Sequence, residues 1–151
     1  MNTGQFGRQI EILMAEDNPD DVELTLEALH HAKVGNNLTV VKDGIDLLSF
    51  LRGESQYEGR KLPDLILLDL NMPRMDGREA LTEIKAAPEF KHIPVVVLTT
   101  SSAEDDIVKA YMHHANCYIT KPVDFNQFVE VVQSIEDFWL TVVKLPARQM
   151  A

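Results

Sequence analysis

Apolar residues in this chain fall into two rhythms. Short runs, Ile10 to Ala15, Leu38 to Val41, Leu65 to Asp69, Val95 to Leu98 and Asn116 to Thr120, have the length and composition of strands within a sheet, the most apolar of them buried on both faces. Between them the apolar positions recur at helical spacing. Asn18-Pro19-Asp20 supplies a capping residue and a proline in the first turn, and Val22, Leu24, Leu26, Ala28 and Leu29 carry that helix to about Lys33. Asp43 caps a second helix through Ile45, Leu47, Leu48, Phe50 and Leu51, after which a polar, Gly-containing loop runs from Arg52 to Pro63. A third helix is predicted over Arg78 to Ala86, stopped before Pro88. Ser102 caps a fourth to about His114, and Asp124 opens a long fifth that ends near Val143. Five strands alternating with five helices predict an α/β fold: a doubly wound parallel sheet with helices on both faces and right-handed crossovers.

The third strand is unusual in ending on an acid. Four apolar residues run directly into Asp69, and Pro73 follows soon after. The other strands also carry polar groups at their carboxyl ends: Glu16 and Asp17 after the first, Thr99 and Thr100 at the fourth, Lys121 after the fifth. In an open parallel sheet these ends share one edge, and ligands bind there, where the strand order reverses. With order 2-1-3-4-5 the reversal lies between strands one and three, which places Glu16, Asp17 and Asp69 side by side. Two carboxylates about 4 Å apart repel by about 4 kcal/mol at an effective dielectric of 20, and a divalent cation relieves this. A few oxygen ligands, with room left for waters and a phosphate, suit Mg2+ better than calcium or zinc. Lys121 adds an ammonium and Thr99 a hydroxyl, so the set suits phosphoryl transfer onto Asp69. Pro122 biases Lys121 toward extended backbone.

Composition narrows the classes. A chain of 151 residues with 45% hydrophobic content builds one domain, predicted over 10–143, with a flexible N-terminus at 1–9 and a tail at 144–151. Against 24 acidic side chains stand 14 basic ones, a net charge of -10, which opposes direct nucleic-acid binding. The single Cys117 forms no internal disulfide and fits a reducing compartment. Neither a signal peptide nor a membrane span is visible, so a soluble cytoplasmic protein is expected.

Taken singly, each site residue has a plainer reading. Glu16, Asp17 and Asp20 suit a helix N-terminus, Thr99 a strand-end cap, Lys121 a solvated surface charge and Tyr118 a half-buried strand aromatic. An acid closing an apolar strand is seldom placed for stability, so Asp69 is harder to explain in that way. Together, Glu16-Asp17, LILLDLNMPRMDG around Asp69, PVVVLTTSS around Thr99, and Tyr118 with Lys121-Pro122 in CYITKP make the chain resemble the receiver domains of two-component response regulators. The resemblance covers nearly all of 10–143 and implies a flavodoxin-like fold. It also implies that Asp69 is the phosphoacceptor, that Asp17, Asp69 and the Asn71 carbonyl hold Mg2+ (or Mn2+), and that Glu16 acts through water. Thr99 and Lys121 would contact the phosphoryl group, and Thr99 with Tyr118 would form a switch pair reporting to the face built by the fourth helix, fifth strand and fifth helix. A sensor histidine kinase is the implied donor. The close of the chain, Ile135 to Leu140 through Lys144-Leu145-Pro146, together with Asn116-Cys117-Tyr118, resembles the single-domain regulators that partner phytochrome-type kinases. A stand-alone regulator without an attached output domain is therefore expected.

Other classes fit less well. A phosphatase of the haloacid dehalogenase type needs a second acid where this chain has Asn71, and a flavodoxin-like cofactor binder needs a phosphate-cradling loop where it has Glu16-Asp17. A purely structural interaction module would leave Asp69 dispensable. In the last helix, Phe125, Phe128, Val129, Val132, Ile135, Trp139 and Val143 share one face, while Val131, Phe138 and Val142 form a flanking stripe. The flanking stripe predicts a two-fold homodimer contact.

Overall fold

A computed structural model of the chain describes residues 10–31, 35–70, 72, 74–75, 77–99, 117–120, 126, 130 and 134; of these, the side chains of 55, 99 and 117–120 are not described. The elements are β1 (Ile10–Ala15), α1 (Pro19–His30), β2 (Asn36–Val41), α2 (Gly44–Arg52), a short 3-10 turn (Ser55–Tyr57), β3 (Leu65–Asp69), α3 (Gly77–Ala86), β4 (Val95–Thr99) and β5 (Cys117–Thr120). The strands form one sheet in the order β2-β1-β3-β4-β5, every neighbouring pair parallel. The alternation of strands and helices predicts the parallel sheet, and the order is the one that the site reading requires.

All five residues of β3 are buried, which is why its sequence shows no inside-outside alternation. Leu13, Ile66, Leu68, Leu81, Ile84, Val95 and Val97 have no exposed surface and form the core with Leu47 and Phe50. Each such side chain contributes about 1.5–3 kcal/mol by leaving water. Helix starts are set by local chemistry. The Asn18 side chain accepts from the N–H groups of Asp20 (2.8 Å) and Asp21 (3.4 Å), and Asp43 accepts from Asp46 N–H at 2.9 Å. Gly53, at φ 67°, closes α2 in the left-handed region that a Cβ disfavours.

The boundaries differ from the sequence reading in small ways. β2 starts at Asn36 rather than Leu38, because Asn36 and Asn37 pair with Ile10 and Glu11, and the Asn37 amide donates to Glu11 Oε2 at 3.2 Å. α1 stops at His30, short of Lys33. α3 begins one residue early, at Gly77, whose N–H donates to the Leu70 carbonyl at 3.0 Å. Of the last two predicted helices, only Asn126, Glu130 and Ser134 are described, all helical and exposed.

Candidate functional site

β1 and β3 are direct neighbours, with Ala15 beside Leu68. Glu16 and Asp17 leave β1 one and two residues beyond that pair, and Asp69 ends β3 one residue beyond it. Since β1 pairs with β2 on one side and β3 on the other, the chain reverses direction across the sheet at this point, leaving a crevice. Carboxylate oxygens of Glu16, Asp17 and Asp69 all lie within 4.8 Å of one another there. Glu16 and Asp69 are only 1% and 2% exposed, whereas Asp17 is open to solvent.

Local structure accounts for the burial of two acids. The Glu16 N–H is held by the Val41 carbonyl at 2.9 Å, and its Oε2 accepts from Asn18 N–H at 3.2 Å, so the turn into α1 is folded around this side chain. On the other side, the Leu70 N–H donates to the Leu98 carbonyl at 2.9 Å, continuing the β3–β4 ladder past Asp69 and fixing its backbone. At 4.8 Å each ionised pair repels by roughly 3–4 kcal/mol at an effective dielectric of 20. Three oxygen donors at this spacing, two of them sheltered and one facing water, fit a hard divalent cation that keeps part of its water shell. No other group of three or more metal-ligating acids, histidines or cysteines is found among the described residues.

The sheet register places Thr99 on the same edge. Asp69 pairs with Leu98, Thr99 follows Leu98 on β4, and Thr99 pairs with Thr120, the residue before Lys121. Tyr118 lies on β5 opposite Val97. The side chains of Thr99 and Tyr118, and all of Asn71, Lys121, Val131, Phe138 and Val142, lie outside the described residues.

Residues that the sequence reading did not single out support the loop after Asp69. Gly77 is packed so closely on the end of β3 that a Cβ there would sit 2.7 Å from Leu70 Cα and run into the Asp69 carbonyl oxygen. Gly44, at the start of α2, donates its N–H to the Met75 carbonyl at 3.0 Å, and a Cβ on it would lie 2.6 Å from that same oxygen. Arg74 has φ 61°, a left-handed backbone that costs a residue with a side chain about 1–2 kcal/mol. Its Nε donates to buried Asp43 Oδ2 at 2.7 Å, and its Nη2 lies 3.5 Å from Asp46 Oδ1. Burial pushes the Asp43 carboxyl up, but the Arg74 hydrogen bond, the Asp46 N–H and the guanidinium charge outweigh it and hold the group below the usual carboxylate range.

The model of the response regulator receiver domain matches residues 12–133. The chain belongs to the response regulator receiver family. Among similar receivers is the response regulator Rcp1 of Synechocystis sp., 47% identical over 136 residues that cover 90% of this chain and 92% of Rcp1. The probable methanogenesis regulatory protein FilR2 of Methanothrix harundinacea is 39% identical over 129 residues, covering 85% of this chain and 83% of FilR2. Of solved structures, the phosphorylated cyanobacterial phytochrome response regulator RcpA superposes with a TM-score of 0.78 at 48% identity, covering 88% of this receiver and 95% of RcpA. The Mn2+-bound form of Rcp1 gives 0.76 at 45% identity, over 88% and 96% of the two chains. A receiver is a signalling module of two-component pathways, as the strand-end motifs implied.

Proposed function

We propose that this receiver takes a phosphoryl group onto Asp69 from a phosphohistidine of a sensor histidine kinase of the phytochrome type, and passes the signal on by changing what it binds. The observation that carries the reading is the convergence of Glu16, Asp17 and Asp69 within 4.8 Å at the point where the sheet reverses. An Asp69 carboxylate oxygen attacks phosphorus, the P–N bond breaks, and its electron pair leaves with the imidazole. Asp17, Asp69 and the Asn71 carbonyl would hold Mg2+ or Mn2+, with Glu16 acting through water, and the bound ion would neutralise charge on the phosphoryl oxygens. Lys121 and Thr99 contact the same oxygens from the β4–β5 side, and Thr99 with Tyr118 relays occupancy to the face built by the fourth helix, β5 and the fifth helix. Likeness to regulators described as phytochrome-linked supports the kinase type. A cytoplasmic site of action follows from that partner. Among the described residues no helix is long and apolar enough to cross a membrane.

The same reading includes a homodimer through the last helix, with Val131, Phe138 and Val142 at the contact. Exposed Asn126, Glu130 and Ser134 recur at helical spacing on the side opposite the expected core stripe, which supports the amphipathic reading of this helix.

The test of phosphoryl acceptance is incubation with a small-molecule phosphodonor and Mg2+, read by intact mass. One alkali-labile phosphoryl adduct that disappears with chelator is expected. An adduct formed equally in excess chelator contradicts the metal-assisted mechanism.

A further inference from the structure

Arg74 occupies a backbone conformation that side-chain-bearing residues avoid, on the loop that leads away from Asp69, and its side chain reaches back to the start of another helix. Such an outlier calls for a compensating role. The loop between β3 and α3 meets the β2–α2 turn at two points. Arg74 Nε donates to Asp43 Oδ2 at 2.7 Å, and Gly44 N–H donates to the Met75 carbonyl at 3.0 Å. Asp43 is well placed to anchor this contact: its side chain is 8% exposed, and its other oxygen, Oδ1, is already committed to the Asp46 N–H. The Arg74 side chain is 53% exposed, so the pair joins a fixed buried acceptor to a surface loop rather than filling the core. Past Arg74 and Met75 the chain reaches Gly77, seated against the Asp69 backbone. The connection from Leu70 to Gly77 is thus tied at its two ends to β3 and α3 and in its middle to α2.

We propose that the Arg74–Asp43 pair is a clamp that holds the β3–α3 loop, and through Gly77 the end of β3 that carries Asp69, in the arrangement that binds the divalent cation, which makes Arg74 a positioning residue for phosphoryl transfer. The proposal rests on the metal-assisted reading above. An unclamped loop has to be ordered each time the cation binds, so removing the clamp lowers metal affinity. Global stability changes little on Arg74→Gly, because glycine removes the ion pair and the left-handed strain together.

The experiment titrates the full chain with Mn2+ alone, by calorimetry, in wild type, Arg74→Gly, Arg74→Lys, Asp43→Asn and the Arg74→Gly/Asp43→Asn double variant, with thermal melts of each. Asparagine keeps an oxygen for the Asp46 N–H while removing the charge. Arg74→Gly should weaken Mn2+ binding about tenfold, the lower end of what partners that orient metal ligands are worth, at a melting temperature close to wild type. Lysine should restore part of the loss, and the double variant should bind no more weakly than the worse single variant, as two halves of one contact must. Phosphodonor kinetics should show the same change as a higher Mn2+ requirement with an unchanged rate at saturation. Arg74→Gly binding Mn2+ within twofold of wild type overturns the clamp, as do losses that add in the double variant. A wild-type chain that takes up no Mn2+ overturns the functional reading itself, so the two failures are told apart.

Discussion

Replacing Gly77 by alanine tests how tightly the phosphoacceptor backbone is built. At an ordinary helix position this change favours folding by about 1 kcal/mol, because glycine is the poorer helix former. Gly77 is helical, and the described glycines with positive φ are Gly53 and Gly59, so the new methyl meets no backbone penalty of its own. It meets atoms instead: Leu70 Cα at 2.7 Å and the carbonyl oxygen of Asp69. Both belong to the backbone and cannot swing aside as a flexible side chain would. Overpacking of this kind costs about 1–3 kcal/mol, so the net effect is a loss of up to about 2 kcal/mol. In a domain of this size that lowers the melting temperature by up to about 8 °C. Relief of the clash moves α3 away from β3 or rotates the Asp69 peptide, and either misaligns the carboxylate. Misplacement by about 1 Å can cost about a hundredfold in rate. The assay pairs a thermal melt with the phosphorylation rate from a small-molecule donor. Gly59→Ala is the control: it strains a positive-φ site with open space around it, in the loop that enters β3 at the end opposite Asp69, and should lower stability while leaving the rate unchanged. If Gly77→Ala is more stable than wild type and is phosphorylated normally, the argument from close packing is wrong.

Asp69→Asn should abolish the phosphoryl adduct seen by intact mass while preserving the circular dichroism spectrum; an adduct at full stoichiometry would move the acceptor elsewhere. Asp17→Ala should weaken Mn2+ binding at least tenfold, whereas Glu54→Ala, with its carboxylate exposed and pairing with Ser49, should leave it unchanged. Asp43 has a folded-state pKa below its ordinary value of 3.8, so the stability it contributes is present above that value and is lost as pH falls through the folded pKa. Asp43→Asn should therefore cost about 1–2 kcal/mol in urea melts at neutral pH and nothing at pH well below the folded pKa, so equal losses at both would contradict the sign. Phe138→Asp should give a folded monomer that still accepts phosphate, and sedimentation of an already monomeric wild type at high micromolar concentration would remove the dimer.

Much of this fold is legible in the amino-acid sequence alone. The apolar run of β3 is continuous and that of β1 is broken only at half-buried Glu11, because strands buried on both faces leave little room for polar alternation, so both strands are recognisable with their bounds. Helix starts are visible for a similar reason: Asn18 and Asp43 cap within a few residues of their own position, and chemistry that short in range is written in the local sequence. The polar groups at the strand ends are legible too, since parallel topology sends every strand's carboxyl end to one edge. Their meeting follows from the sequence only once the strand order 2-1-3-4-5 is assumed. Glu16 and Asp69 lie 53 positions apart in the chain, and only the pairing of β1 with β3 rather than with some other strand brings their carboxylates together. The same holds for Arg74 and Asp43, 31 positions apart, and for Gly77 against Asp69. A left-handed arginine carries no sequence signature, because side-chain-bearing residues avoid that conformation unless a distant partner compensates. Capping and strand burial are decided by neighbours along the chain, whereas the site and the packing behind it are decided by neighbours in space, which tertiary structure alone selects.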